Sequence, residues 1–175
     1  MVRFDFSKRD IVMMAAFLAL MFLVGMIWLA GTVVGTLFHG ILFGMVLIAA
    51  AVVIGKRYTI LALGLVYTLI DFSSAHMYGG TLTALNTLAG AVVLELVLRS
   101  TPEYAMNLKL DVIGSTLYGF VSRVVYVAIM VLVYGLYLPL WTIAALIVPH
   151  IITFAIGGYL GYKLGGKAKN VLESV

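Results

Sequence analysis

The sequence predicts an all-α integral membrane protein, a six-transmembrane-helix bundle with both termini cytoplasmic, and three observations carry that prediction. Of its 175 residues 64% are hydrophobic and 10% charged. The mean hydropathy is +1.18, far above what a water-soluble domain exposes. The apolar residues also fall into six stretches of roughly 20 residues, each enough to cross a bilayer. Residues 1–175 therefore read as one membrane domain, with no length left for an ATPase or a nucleic-acid module.

The spans are expected at 10–30, 33–54, 58–77, 80–98, 110–134 and 138–162, each ended by charge, glycine or proline. The first follows Arg3, Lys8 and Arg9, and it is long enough to span, so no cleavable signal sequence is expected. The second is apolar on every face from Ile41 to Ile54, whereas a barrel strand would alternate. The third is the weakest, because Asp71, Ser73, Ser74 and His76 fall in its last turn or in the loop beyond it. Gly79-Gly80 opens the fourth, Arg123 interrupts the fifth, and Pro149 lies inside the sixth.

Orientation follows from Lys and Arg, which stay in the cytoplasm during insertion. Arg3, Lys8, Arg9, Lys56, Arg57, Arg99, Lys109, Lys163, Lys167 and Lys169 all fall on one side, which is ten of the eleven basic residues. The opposite connections, at 31–32, 71–80 and 135–139, carry none. Topology thus accounts for the net charge of +4, and no nucleic-acid partner is implied.

The eleventh basic residue, Arg123, lies about 11 residues into helix 5, roughly 16 Å deep by helical rise. A charge at that depth faces protein or a wet cavity and has a partner. Helical spacing puts Tyr126, Met130 and Tyr134 on its face. Arg123 is read either as part of a ligand site or as one half of a structural pair with Glu95 or Asp71. His150, next to Pro149 in the antiparallel neighbour helix, should share its depth, as a ligand contact or as an interhelical hydrogen bonder. His39 and Asn86 fall in the outer half, about 9 Å from the surface. Asp71, His76 and Tyr78 lie in or beside the longest outer connection. Glu95 is expected to pair with Arg99 at i,i+4. Trp28 and Trp141 are expected at the outer boundary as headgroup anchors, with stacking on a planar ligand as the alternative. Ala15, Ala16 and Ala19 make a small-residue surface on helix 1 that another helix could approach closely.

Much chemistry is missing. There is no cysteine, no His-Glu-x-x-His pair, no Gly-x-Ser-x-Gly elbow and no P-loop. His39, His76 and His150 lie at differing depths without ligand spacing, so no metal site and no cofactor are expected. Binding or permeation is favoured over catalysis.

In pattern the chain resembles the substrate-binding S components of energy-coupling factor (ECF) transporters, small six-helix proteins that capture vitamins and other micronutrients. The resemblance rests on Ser7-Lys8-Arg9-Asp10-Ile11-Val12 before an alanine-rich helix 1, on Ala15-x-x-x-Ala19, on the topology and on the length. It implies a plasma-membrane subunit without enzymatic activity. Ala15 and Ala19 would dock on a coupling transmembrane subunit driven by two ATPase subunits. The substrate would enter from outside and be enclosed by the outer loops and the outer halves of helices 4, 5 and 6, where Asn86, Arg123, Tyr126, Tyr134, Trp141 and His150 are the candidates. Arg123 would favour a carboxylate or phosphate, and the aromatic residues a flat ring. Nickel and cobalt members carry a histidine close behind the initiating methionine, whereas this chain reads Met1-Val2-Arg3. An autonomous channel or secondary carrier lined by Arg123 and His150 stands as the alternative, and a membrane enzyme or assembly subunit as a third reading.

Overall fold

A computed structural model describes residues 5–74 and 80–174, which are overwhelmingly helical and contain no strand. The sequence-predicted residues Arg3, His76 and Tyr78 lie outside the described residues. The α-helices are α1 (Lys8–Gly25), α2 (Thr32–Ile54), α3 (Thr59–Ser74), α4 (Leu85–Leu98), α5 (Leu108–Ala128) and α6 (Leu140–Glu173). Short 3-10 turns at Met26–Ala30 and Thr81–Ala84 extend α1 and precede α4, and a π turn at Ile129–Val133 extends α5. With these extensions, five of the units are long and apolar enough to cross a membrane. The protein is an all-α membrane protein. The 16 residues of α3 are apolar but make only about 24 Å.

Local chemistry sets the helix ends. Ser7 and Asp10 form a reciprocal cap: the Ser7 hydroxyl accepts from the Asp10 N–H at 3.2 Å, and the Asp10 carboxylate accepts from the Ser7 N–H at 2.7 Å. Lys56 Nζ pairs with the same carboxylate at 2.7 Å, tying the start of α1 to the turn after α2. Gly55 ends α2 with φ 65°, the left-handed conformation that glycine adopts without strain.

Glu95 corrects the expected i,i+4 pair. Its carboxylate accepts from the Tyr58 and Leu61 N–H groups at 2.6 and 3.3 Å, capping α3, and from the Tyr104 hydroxyl at 2.8 Å. The positive end of a helix competes successfully for a buried carboxylate. Arg99 instead lies over the Tyr58 ring, 4.5 Å from its centroid. Burial, and then the adjacent Glu95 charge, raise the Tyr104 phenol well above its ordinary pKa, so it remains a donor.

The bundle is built around α2, α5 and α6. α2 packs most extensively on α6, α6 on α5, and α5 on α4, while α1 lies at the edge against α2. Gly157, Gly161 and Gly165 recur every fourth residue along α6 and face the α2 backbone. A Cβ at Gly161 would lie 3.0 Å from Met45 Cα and 2.9 Å from Ile48 Cβ. Small residues at this spacing let helix axes approach closely. Across the α5 seam the Ser115 hydroxyl donates to the Phe154 carbonyl at 2.7 Å. Phe43, Leu47, Ile48, Leu63, Leu94 and Phe154 fill the space between.

Two predicted spans change. The sixth was expected to stop at residue 162 but continues to Glu173. Hydropathy marks where lysines begin, not where hydrogen bonding stops, and the Arg9 guanidinium donates to the Leu172 carbonyl at 3.2 Å. The fifth keeps its length but not its register, because the π turn adds a residue after Ala128.

Candidate functional site

A cavity of about 350 Å³ lies at the end of the bundle away from the basic loops. All six helices or their extensions line it. Trp28 comes from the turn after α1, His39 and Phe43 from α2, and Tyr67 and Asp71 from α3. Asn86 and Thr87 come from α4, Tyr118, Ser122, Arg123 and Tyr126 from α5, and Leu146 and Phe154 from α6. Chain direction explains the convergence: each contribution falls in the half of its helix nearest the loops that lack Lys and Arg.

Arg123 is held by ring faces. Its guanidinium carbon is 4.8 Å from the Trp28 ring and 5.5 Å from that of Tyr126. Among the described residues neither Asp71 nor Glu95 comes within ion-pair distance of it, so the structural pair is not formed. Its Nε is buried without a hydrogen-bond partner.

Trp28 corrects the anchor expectation. The 3-10 turn that carries it winds more tightly than an α-helix, and the indole packs inside the bundle against Arg123, His39 and His150. The His150 ring lies 6.0 Å from it at an interplanar angle of 10°. His39 is 5.6 Å from Trp28, 4.8 Å from Phe43 and 6.3 Å from His150. His39 and His150 thus meet ring to ring despite the differing depths expected for them. Both helices run in the same direction, and the remaining offset of about three residues, roughly 4.5 Å of rise, is within the reach of two ring side chains. His150 is fully buried with its ring beside the Leu146 carbonyl, and His39 Nδ1 is buried without a hydrogen-bond partner.

The predicted residues divide. Asn86, Arg123 and Tyr126 line the cavity, whereas His150 is not a lining residue and packs behind Trp28 and His39. Asn86 is positioned locally, its amide donating to the Thr83 carbonyl at 2.6 Å and its oxygen accepting from Thr87 at 3.3 Å. Tyr134 and Trp141 are not lining residues. The π turn takes Tyr134 off the Arg123 face, and its hydroxyl accepts from the Leu82 N–H at 3.2 Å. Trp141 is 74% exposed, as a boundary residue would be. Ala15, Ala16 and Ala19 are exposed on α1.

The candidate list lacked Trp28, for which ligand stacking was the alternative reading, and His39 and Asp71, which their polarity at depth had flagged, and it lacked Tyr67 and Tyr118, which carried no signal. No protein-family model, curated protein or solved structure matches the chain.

Proposed function

We propose that the chain is the substrate-binding S component of an ECF-type uptake transporter. In this reading six spans cross the plasma membrane, both termini and the basic loops are cytoplasmic, and the cavity takes a small solute from outside. Capture is its task, with delivery through a coupling transmembrane subunit driven by two ATPase subunits.

One observation carries the reading. The cavity is walled by all six helices and set in the half of the bundle remote from Lys and Arg, and it holds an arginine whose charge meets aromatic faces rather than a carboxylate. A polar cavity at this depth suits the reception of a solute. The exposed alanines of α1 add a second support. Ile11, Val12 and Leu23 beside them are 57%, 69% and 61% exposed, so α1 offers a largely unpacked face on which a partner helix could seat closely.

The test is copurification of the tagged chain with the coupling subunit and ATPases of its source, as wild type and as Ala15→Leu/Ala19→Leu. The expected outcome is a complex with wild type alone. Equal recovery of complex with both forms sinks the docking face. No complex with either, together with uptake by the purified chain alone in liposomes, replaces the reading with an autonomous carrier.

A further inference from the structure

Four side chains form one cluster at the cavity, three of them in its lining and His150 behind Trp28 and His39. Trp28 is its hub, with the Arg123 guanidinium, the His39 ring and the His150 ring 4.8, 5.6 and 6.0 Å away. His150 has no exposed surface, whereas Arg123 and His39 both line the cavity. Nε of Arg123 and Nδ1 of His39 are buried without partners; polar groups in folded proteins are overwhelmingly hydrogen-bonded, so the surface these two side chains present to the cavity is where an occupant pairs with them.

The chemistry of that molecule follows from donors and acceptors. A guanidinium only donates, and a neutral imidazole donates once and accepts once. The cluster therefore offers a surplus of donors, and its occupant must be rich in acceptors. Among the described residues Arg123 is the one basic side chain of the lining and Asp71 the one acidic side chain, and the two are not within ion-pair distance of each other, so the occupant presents an anionic group to Arg123 itself. The planar guanidinium fork fits a planar carboxylate. Asp71, also in the lining, provides an acceptor for a ring N–H. The cavity of about 350 Å³ corresponds to about a dozen water volumes at about 30 Å³ each, room for a one- or two-ring compound. A bare divalent cation fits poorly, because a guanidinium stands in the same cluster, and no group of three metal-ligating side chains forms among the described residues.

Resting on the S-component reading, we propose that the substrate is a heteroaromatic carboxylate: its carboxylate is held by Arg123, and its ring acceptor is read by His39. His39 then sets specificity, since a site built to hydrogen-bond ring heteroatoms discriminates against a ring that lacks them.

The experiment measures binding to the full-length chain in detergent by calorimetry and thermal shift, with four probes and a metal arm. Orotate and nicotinate carry both ring acceptors and a carboxylate, benzoate lacks the ring acceptors, nicotinamide lacks the charge, and nickel and zinc chloride serve as metals. Orotate or nicotinate is expected to bind about 10- to 100-fold more tightly than benzoate or nicotinamide, the ratio that a hydrogen bond to a charged or buried partner supports. His39→Phe should narrow the gap between nicotinate and benzoate. Arg123→Gln should narrow the gap between nicotinate and nicotinamide. Because the wild-type ranking already decides the matter, a variant that does not fold leaves the test intact. Failure of both heteroaromatic carboxylates to bind, equal binding of nicotinamide, or stabilisation by metal alone overturns the assignment. The copurification above is independent of these probes. A chain that joins the coupling subunit but refuses the panel loses only the substrate class, and one that binds the panel but joins no complex loses only the S-component reading.

Discussion

Replacing Gly161 with alanine should separate α2 from α6, and the size of the effect can be worked from the seam. The added Cβ would sit 2.5 Å from the Met45 carbonyl oxygen, 2.9 Å from Ile48 Cβ and 3.0 Å from Met45 Cα. Comfortable contact needs about 3.5 Å, so the helices must part locally by roughly 1 Å. Two of the three obstructing atoms are backbone and cannot rotate away. Overpacking of this kind costs about 1–3 kcal/mol, and the helix propensity of alanine over glycine offsets up to about 1. With the full offset the net loss runs up to about 2 kcal/mol, which at about 2–4 °C per kcal/mol lowers the apparent Tm by up to roughly 8 °C. Gly166 on the same helix has nothing within 4 Å of its would-be Cβ, so Gly166→Ala should melt at or slightly above wild type. Gly157→Ala should add a loss of ligand affinity, because its Cβ would meet the carbonyls of Gly40 and Ile41, directly beside His39. The assay is thermal unfolding in detergent followed by fluorescence-detected size exclusion. If Gly161→Ala and Gly166→Ala melt together, the seam does not hold the bundle as argued.

Glu95→Gln keeps one acceptor but turns the other oxygen into a donor facing an N–H or the Tyr104 hydroxyl. It should cost about 1.5–3 kcal/mol, visible as a lower Tm, whereas Arg99→Met should cost less because no ion pair is lost. Arg123→Gln should abolish ligand-induced stabilisation while shifting the ligand-free Tm by only a few degrees, since the guanidinium makes ring contacts worth about 1–2 kcal/mol at most and no ion pair. A collapse of the ligand-free protein would make Arg123 structural. Asp10→Asn should destabilise more than Lys56→Met: it weakens a helix cap worth about 0.5–2 kcal/mol, whereas the ion pair to the 40% exposed Lys56 is worth at most about 1 kcal/mol. Raised salt should reduce only the difference due to Lys56.

What the sequence made legible is what hydropathy measures. Long apolar runs bounded by lysines and arginines specify helices and, apart from the C-terminal end of α6, their ends to within about a turn, because the bilayer admits little else. Azimuth is what hydropathy does not measure. In a soluble helix the polar face points outward and fixes its rotation; in α2 or α4 nearly every residue is apolar, and packing alone decides which ones meet. His39, Tyr67 and Tyr118 therefore gave no sign of facing one cavity, although their depths were accessible. Arg123 and Asn86 were legible because polarity at depth is informative without azimuth, and Tyr126 because it lies three residues from Arg123 on the same helix. Trp28 and Tyr134 were misread for a different reason. Each lies on a turn that is not α-helical, the 3-10 turn after Gly25 and the π turn after Ala128, and a constant 3.6-residue period projects both onto the wrong face. The glycines of α6 were legible in principle. Gly157-x-x-x-Gly161-x-x-x-Gly165 is a longer run of close-approach positions than Ala15-x-x-x-Ala19, and the two serve opposite ends. The glycine run is consumed inside the bundle against α2, whereas the alanine pair remains exposed on α1. That difference, invisible in the spacing, is what the proposed docking role of the second motif rests on.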